Sequence, residues 1–90
     1  MSDRLTLAHG TVEALEGAWP LVLANVLAAP LIEMAPMLVR RVAHRGRVVL
    51  SGMQDALAQE VGEAYVRLGM RRLDVRSRAG WAAIVLQATW

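Results

Sequence analysis

Cysteine is absent from all 90 residues, and so is lysine. The first absence removes disulfide staples, thiolate nucleophiles and cysteine metal sites together. The second leaves ten arginines against eight acids, a net charge of only +2, so the high isoelectric point reflects arginine chemistry more than a large positive field. Composition alone therefore does not make the chain a nucleic-acid binder. The seven glycines, at positions 10, 17, 46, 52, 62, 69 and 80, stand singly, and no GxGxxG-like phosphate loop exists anywhere. Two histidines far apart, His9 and His44, form no ligand cluster, which argues against a metal site. The opening MSDRLTLAHG has neither the basic start nor the apolar core of an export signal, so the expected location is the cytoplasm.

What is present is core-forming material. Hydrophobic residues make up 56% of the sequence and charged ones 20%, enough for one compact domain and too little length for two. The greasiest stretch, LVLANVLAAPLIEMAP (21–36), carries Asn25 in its midst. A membrane span is disfavoured there, because Pro20, Pro30, Pro36 and Glu33 suit a strand followed by a helix better. Asn25 then poses a chemical question, since a buried amide without partners costs about 1–3 kcal/mol.

Leu5 to Leu7 suggest a short strand closed by His9 and Gly10, with Thr11 to Glu16 forming one or two helical turns. Leu21 to Ala24 is continuously apolar, as expected of a parallel strand covered on both faces, and Asn25 falls just past its end. Pro30 suits the first turn of a helix running to Ala43, kinked or restarted at Pro36 and ended by Gly46. Arg40, Arg41, His44 and Arg45 crowd its carboxyl end, where positive charge meets the negative end of the dipole. Arg47 to Leu50 reads as a β-branched strand, and Ser51 with Gln54 has capping-box spacing for a helix burying Leu57, Val61, Ala64 and Leu68. Gly69 stops that helix. Leu73 to Arg78 and Trp81 to Thr89 form an antiparallel hairpin around Ala79 and Gly80. The order strand, helix, strand, helix, strand, strand predicts an α/β fold.

Several of these segments resemble one family. ANVLAAPLIEMAP, then RVVLSGM, then a helix with Glu60, Ala64 and Tyr65 are similar to the carboxyl-terminal part of the methyltransferase that modifies large-subunit ribosomal protein eleven. Ser2–Asp3–Arg4–Leu5 and Trp81 fit the same alignment, so the resemblance runs through nearly the whole chain. It implies a partial Rossmann-like class I methyltransferase sheet, mostly parallel with a carboxyl-terminal antiparallel hairpin and helices on the faces. Residues 1–90 would form the closing half of that domain. The glycine-rich cofactor loop and the acidic residue for the ribose, which the family carries upstream, are not in this sequence.

The implied activity is protein N-methylation on a lysine side chain or α-amine of a ribosomal protein, with S-adenosyl-L-methionine as cofactor and Asn25 contacting both cofactor and amine, helped by the carbonyls of Val26 to Ala28. A carboxamide suits the task, because its oxygen aims an amine by hydrogen bonding while remaining uncharged. Spacing alone also leaves open a plain turn role for Asn25, which is the commoner use of asparagine. His9 borders the position of the family's adenine pocket but reads first as a turn residue. Ser51 reads first as a cap. No catalytic base is expected. The arginines at 40, 41, 45 and 47 read as a solvated helix end rather than an RNA patch, and Trp19, Trp81 and Trp90 as packing residues. The family's missing strands would border Leu21 to Ala24. The expected outcomes are self-association or a complementary fragment at that open edge, or a rearranged sheet in which Leu5 to Ala8 fill it. A non-enzymatic α/β module that docks on a partner is the competing reading.

Overall fold

The computed structural model describes residues 3–7 and 16–90. Continuous apolar runs supply the centre of a five-stranded sheet. Strand β1 (Arg4–Leu7) pairs in parallel with β2 (Trp19–Asn25), and β2 in parallel with β3 (Val42–Gln54). Beyond β3 the sheet turns antiparallel, with β5 (Trp81–Ala88) next and β4 (Met70–Arg78) at the edge. The spatial order is β1-β2-β3-β5-β4.

Helix α1 (Ala28–Leu38) crosses from β2 to β3, and α2 (Ala58–Val66) leads from β3 to β4. Alternate residues of the strands face these helices. Val22, Val48, Leu50, Ile84 and Leu86 are fully buried in one core with Leu31 and Leu38 of α1 and Val61 and Tyr65 of α2. Burying each side chain of this size is worth about 1.5–3 kcal/mol, so this one layer of contact carries most of the stability. Tyr65 ties the helices together, its hydroxyl donating a 2.7 Å hydrogen bond to the Leu31 carbonyl.

Several expectations change. Half of the strand pairings are parallel rather than most, because β5 inserts between β3 and β4. Both described helices share one sheet face instead of lying on two. Pro36 does not break α1, which continues to Leu38 and closes in a 3-10 turn (Val39–Arg41) that holds Arg40 and Arg41. Ala43 to Gly46 belong to β3, not to the helix. Arg45, at φ 60°, bulges this strand, and the register with β2 jumps there. Gly46 is needed for close approach instead of a helix stop, since a Cβ would come 2.8 Å from the Ala43 carbonyl oxygen and 3.1 Å from that of Pro20. The buried stripe of α2 is Ala58, Val61, Gly62 and Tyr65, while Leu57 and Leu68 are exposed. The helix starts after a 3-10 turn at Asp55–Leu57, which rotates the stripe away from Leu57.

Other expectations hold. Gly69, at φ 97°, follows α2, and Ala79 and Gly80, at φ 52° and 83°, make the two-residue hairpin turn, both positive as the right-handed strand twist favours. The helical turns expected at Thr11 to Glu16 lie, but for Glu16, outside the described residues. The edge of β2 is occupied by β1, the strand expected to fill it. No helix among the described residues is long and apolar enough to cross a membrane.

Burial pushes the Tyr65 hydroxyl well above its ordinary value of 10.0. The folded state therefore keeps this proton where the unfolded chain releases it, and the stabilisation is complete below pH 10 and lost above it. With no lysine, no cysteine and a single tyrosine, no other side chain is expected to titrate near that pH. Urea unfolding should show stability falling above about pH 10 with a slope approaching 1.4 kcal/mol per pH unit. Tyr65→Phe should flatten that slope and cost about 1 kcal/mol at neutral pH.

Candidate functional site

Because β2 and β3 are parallel, their carboxyl ends lie side by side, and the register sets Asn25 directly across from Ser51. The Val26 N–H donates to the Ser51 carbonyl at 2.9 Å, carrying the ladder one residue past Asn25. Asn25 is the last residue of β2 rather than the first beyond it, and it is exposed. Its carboxamide has no hydrogen bond to another described residue. The amide is thus presented at the sheet's tip and not enclosed among hydrocarbon.

Gly52 makes room for it. This residue sits at φ 91°, and a Cβ there would lie 2.5 Å from Asn25 Oδ1, 2.9 Å from the Val26 nitrogen and 3.0 Å from the Val26 oxygen. Glycine is required twice over, by conformation and by space. The Asn–Val–Leu and Leu–Ser–Gly segments, more than twenty residues apart in the chain, therefore form one surface. Ser51 is not a helix cap, since β3 continues to Gln54 and the residue before α2 is Leu57. It is a second polar group at the tip.

Of the three backbone carbonyls expected to help, that of Leu27 already accepts the Leu31 N–H at 3.0 Å, the first bond of α1. The Leu27 side chain is 62% exposed beside the tip. The sequence offered no signal for it, because an apolar residue in an apolar run reads as core. Asn25, Val26, Leu27, Ser51 and Gly52 provide hydrogen-bonding groups and an apolar wall but no titratable group. They can orient a polar ligand and cannot hold a proton for it. His9 lies outside the described residues. His44, Arg45 and Arg47 are in β3, and no group of three metal-ligating side chains occurs among the described residues. Trp19 packs against the core, Trp90 donates from Nε1 to the Val42 carbonyl at 3.2 Å, and Trp81 is 49% exposed.

The mixed α/β sheet with its two helices is similar in fold to methyltransferase structures. The ribosomal protein L11 methylase of Lactobacillus delbrueckii subsp. bulgaricus superposes with a TM-score of 0.80 at 19% identity, over 88% of this chain and 41% of that one. The antibiotic-resistance methyltransferase Kmr does so with a TM-score of 0.61 at 18% identity, over 88% of this chain and 56% of its own. Residues 1–89 match the family model described as ribosomal protein L11 methyltransferase (PrmA), and the chain belongs to that family. A ribosomal protein L11 methyltransferase from Rhizobium rhizogenes is 41% identical over 78 residues, 87% of this chain, and one from Allorhizobium ampelinum is 39% identical over 79 residues. In both cases the chain spans only 27% of the relative's length.

Replacing Gly52 by alanine should cost about 1–3 kcal/mol of folding stability, from the left-handed conformation and the collision with Asn25. Ser51→Ala should stay within about 0.5 kcal/mol of the parent, because its hydroxyl supports no described contact. Urea denaturation of the two variants checks both values.

Proposed function

We propose that this chain is the carboxyl-terminal portion of a class I S-adenosylmethionine-dependent protein N-methyltransferase, and that it carries the tip which positions cofactor and amine. The observation that carries the reading is the exposed Asn25 carboxamide, without a hydrogen bond among the described residues, seated against Gly52 at the end of two parallel strands in a chain of this family. Ligands of open α/β sheets bind off the carboxyl ends of strands. The bare Cα of Gly52 and the exposed amide suit one side of a small-molecule site, so the residues present fit part of a cofactor pocket.

When bound, S-adenosylmethionine supplies an electrophilic methyl carbon on a sulfonium. Asn25 Oδ1 accepts a hydrogen bond from a neutral amine and points its lone pair along the line of attack. The tip holds no titratable group, so the proton that a methylated amine gives up would pass to water rather than to a side chain here. A neutral carboxamide performs this better than a carboxylate, which would hold the amine as ammonium. The substrate in the whole enzyme is ribosomal protein L11, at a lysine or α-amine. This chain by itself is inactive, because the glycine-rich part of the pocket lies in the portion of the family that it does not span.

A second reading, a non-enzymatic α/β module, is favoured by one observation, the pairing of β1 along β2, which closes that edge without any partner. Titration calorimetry separates the readings. The chain alone should give no heat with S-adenosylmethionine, whereas the chain joined to the remaining part of a relative such as that from Rhizobium rhizogenes should bind it. In that joined enzyme Asn25→Ala should lower kcat by about 100-fold or more, through lost alignment. Its stability should change by no more than about 0.5 kcal/mol, since the residue is exposed. Cofactor binding by the joined protein with undiminished turnover of the Asn25→Ala variant would sink the assigned role.

A further inference from the structure

The end of the sheet away from Asn25 carries a chemistry of its own. Arginine at a helix's carboxyl end has a ready account in the dipole, which Arg40 and Arg41 satisfy in the 3-10 turn after α1. That account does not reach Arg45 and Arg47, which stand in β3. Arg45, at φ 60°, takes a conformation that favours glycine, and backbone bonds hold it there, its N–H donating to the Trp90 carbonyl at 2.7 Å and its carbonyl accepting from Gln87 Nε2 at 3.1 Å. Its guanidinium is exposed and makes no ion pair or hydrogen bond among the described residues. An unfavourable backbone conformation that carries a side chain of no use to the fold points to a use outside it.

Gln87 gathers the neighbours. Its register partners are Arg47 on one side and Arg71 on the other, both exposed and likewise without an acidic partner among the described residues. The Trp90 ring, 37% exposed, lies at the same end, where a Cβ on Gly69 would come 3.4 Å from it. Residues 34–54 contain no acid. On β4 and α2, Asp74 and Glu63 are held by Arg76 at 2.8 Å and Arg67 at 3.7 Å, while Asp3 and Glu16 precede β1 and β2, on the side of β3 away from β5. The small net charge of the chain thus hides a local excess.

We propose that this end of the sheet, centred on Arg45, binds single-stranded RNA, with phosphates on Arg45, Arg47 and Arg71 and a base against the Trp90 ring. Guanidinium forks match phosphate oxygens, and an aromatic ring beside a basic track is what an unpaired base stacks upon. A glutamate-rich peptide would satisfy the arginines and leave the ring unused, and a duplex keeps its base faces to itself. Six residues of β3 separate Arg45 from Ser51, roughly 20 Å, so RNA here does not compete for the tip. The choice of RNA over DNA rests on the reading above, because a ribosomal protein is bedded in RNA.

The test uses the whole chain and a fluorescein-labelled, unstructured RNA of about 12 nucleotides, within the range one such surface spans. Fluorescence anisotropy at about 50 mM salt should give a Kd of about 1–100 µM, and log Kd should rise with log salt at a slope of about 2, from three phosphates at roughly 0.7 each. Arg45→Gly should weaken binding about three- to ten-fold and lower the slope to about 1.4. Its urea midpoint should stay or rise, since glycine suits the backbone. Arg47→Gln with Arg71→Gln should leave a slope near 0.7. Trp90→Ala should weaken binding about ten-fold without changing the slope. Because the indole also donates to the Val42 carbonyl, that variant can unfold, and the arginine variants stand without it. No binding, binding indifferent to salt, or parental affinity in Arg45→Gly would each overturn the proposal. So would a duplex bound as tightly as the single strand, or displacement of the RNA by polyglutamate at matched charge. Cofactor binding by the joined enzyme is measured separately, so RNA binding can fail while the half-domain reading stands.

Discussion

The parallel alignment of β2 and β3 is the constraint from which the rest follows. Two parallel strands need a crossover, and α1 supplies it in 11 residues. The crossover returns the chain to the sheet in the same direction, so both strands finish at one end. Asn25 and Ser51 become neighbours for that reason alone, although 25 residues separate them in the sequence. The same alignment decides what Gly52 must be. A strand leaving the sheet beside an asparagine that has just left it has no room for a side chain at the first turn.

The antiparallel half of the sheet steadies this arrangement from the other end. Gln87 donates to the Arg45 carbonyl at 3.1 Å, and the Arg45 N–H donates to the Trp90 carbonyl at 2.7 Å. The Thr89 hydroxyl reaches the Gly69 carbonyl at 2.6 Å, closing the turn after α2. These contacts hold the bulged start of β3, where an exposed arginine in the left-handed region would otherwise have little reason to stay. The bulge in turn sets the phase of β3, sending Val48 and Leu50 to the core and Arg47 and Val49 to the opposite face. A one-residue slip would exchange the two sets.

How much of this was legible in the sequence depended on the range of the signal. The hairpin at Ala79–Gly80, the stop at Gly69 and the apolar strand before Asn25 are written in adjacent residues, and adjacent residues suffice to read them. The start of β3 was not legible. Val–Ala–His–Arg–Gly continues a helical pattern, and the pairing with Trp19 and the contacts from Trp90 and Gln87 draw it into the sheet. The stripe of α2 is not local information, because Leu57 and Leu68 have the spacing of anchors while the buried anchor, Tyr65, is fixed by a carbonyl 34 residues away. Asn25 stands out in the sequence through the family resemblance together with its place beside an apolar strand. The company of Gly52 was not legible, since no local pattern reports a contact between two turns.

Closing an edge and covering a face are different physical problems, and this chain solves only the first among its described residues. β1 gives the backbone groups of β2 their partners, and a net hydrogen bond is worth about 0.5–1.5 kcal/mol. It adds nothing over Leu23 or Val49, because a strand extends a sheet sideways. Each half-covered leucine or valine still stands to gain a share of the 1.5–3 kcal/mol, roughly, that full burial brings. The demand that remains is therefore perpendicular to the sheet. It calls for side chains laid over the face, which no strand added at an edge can bring.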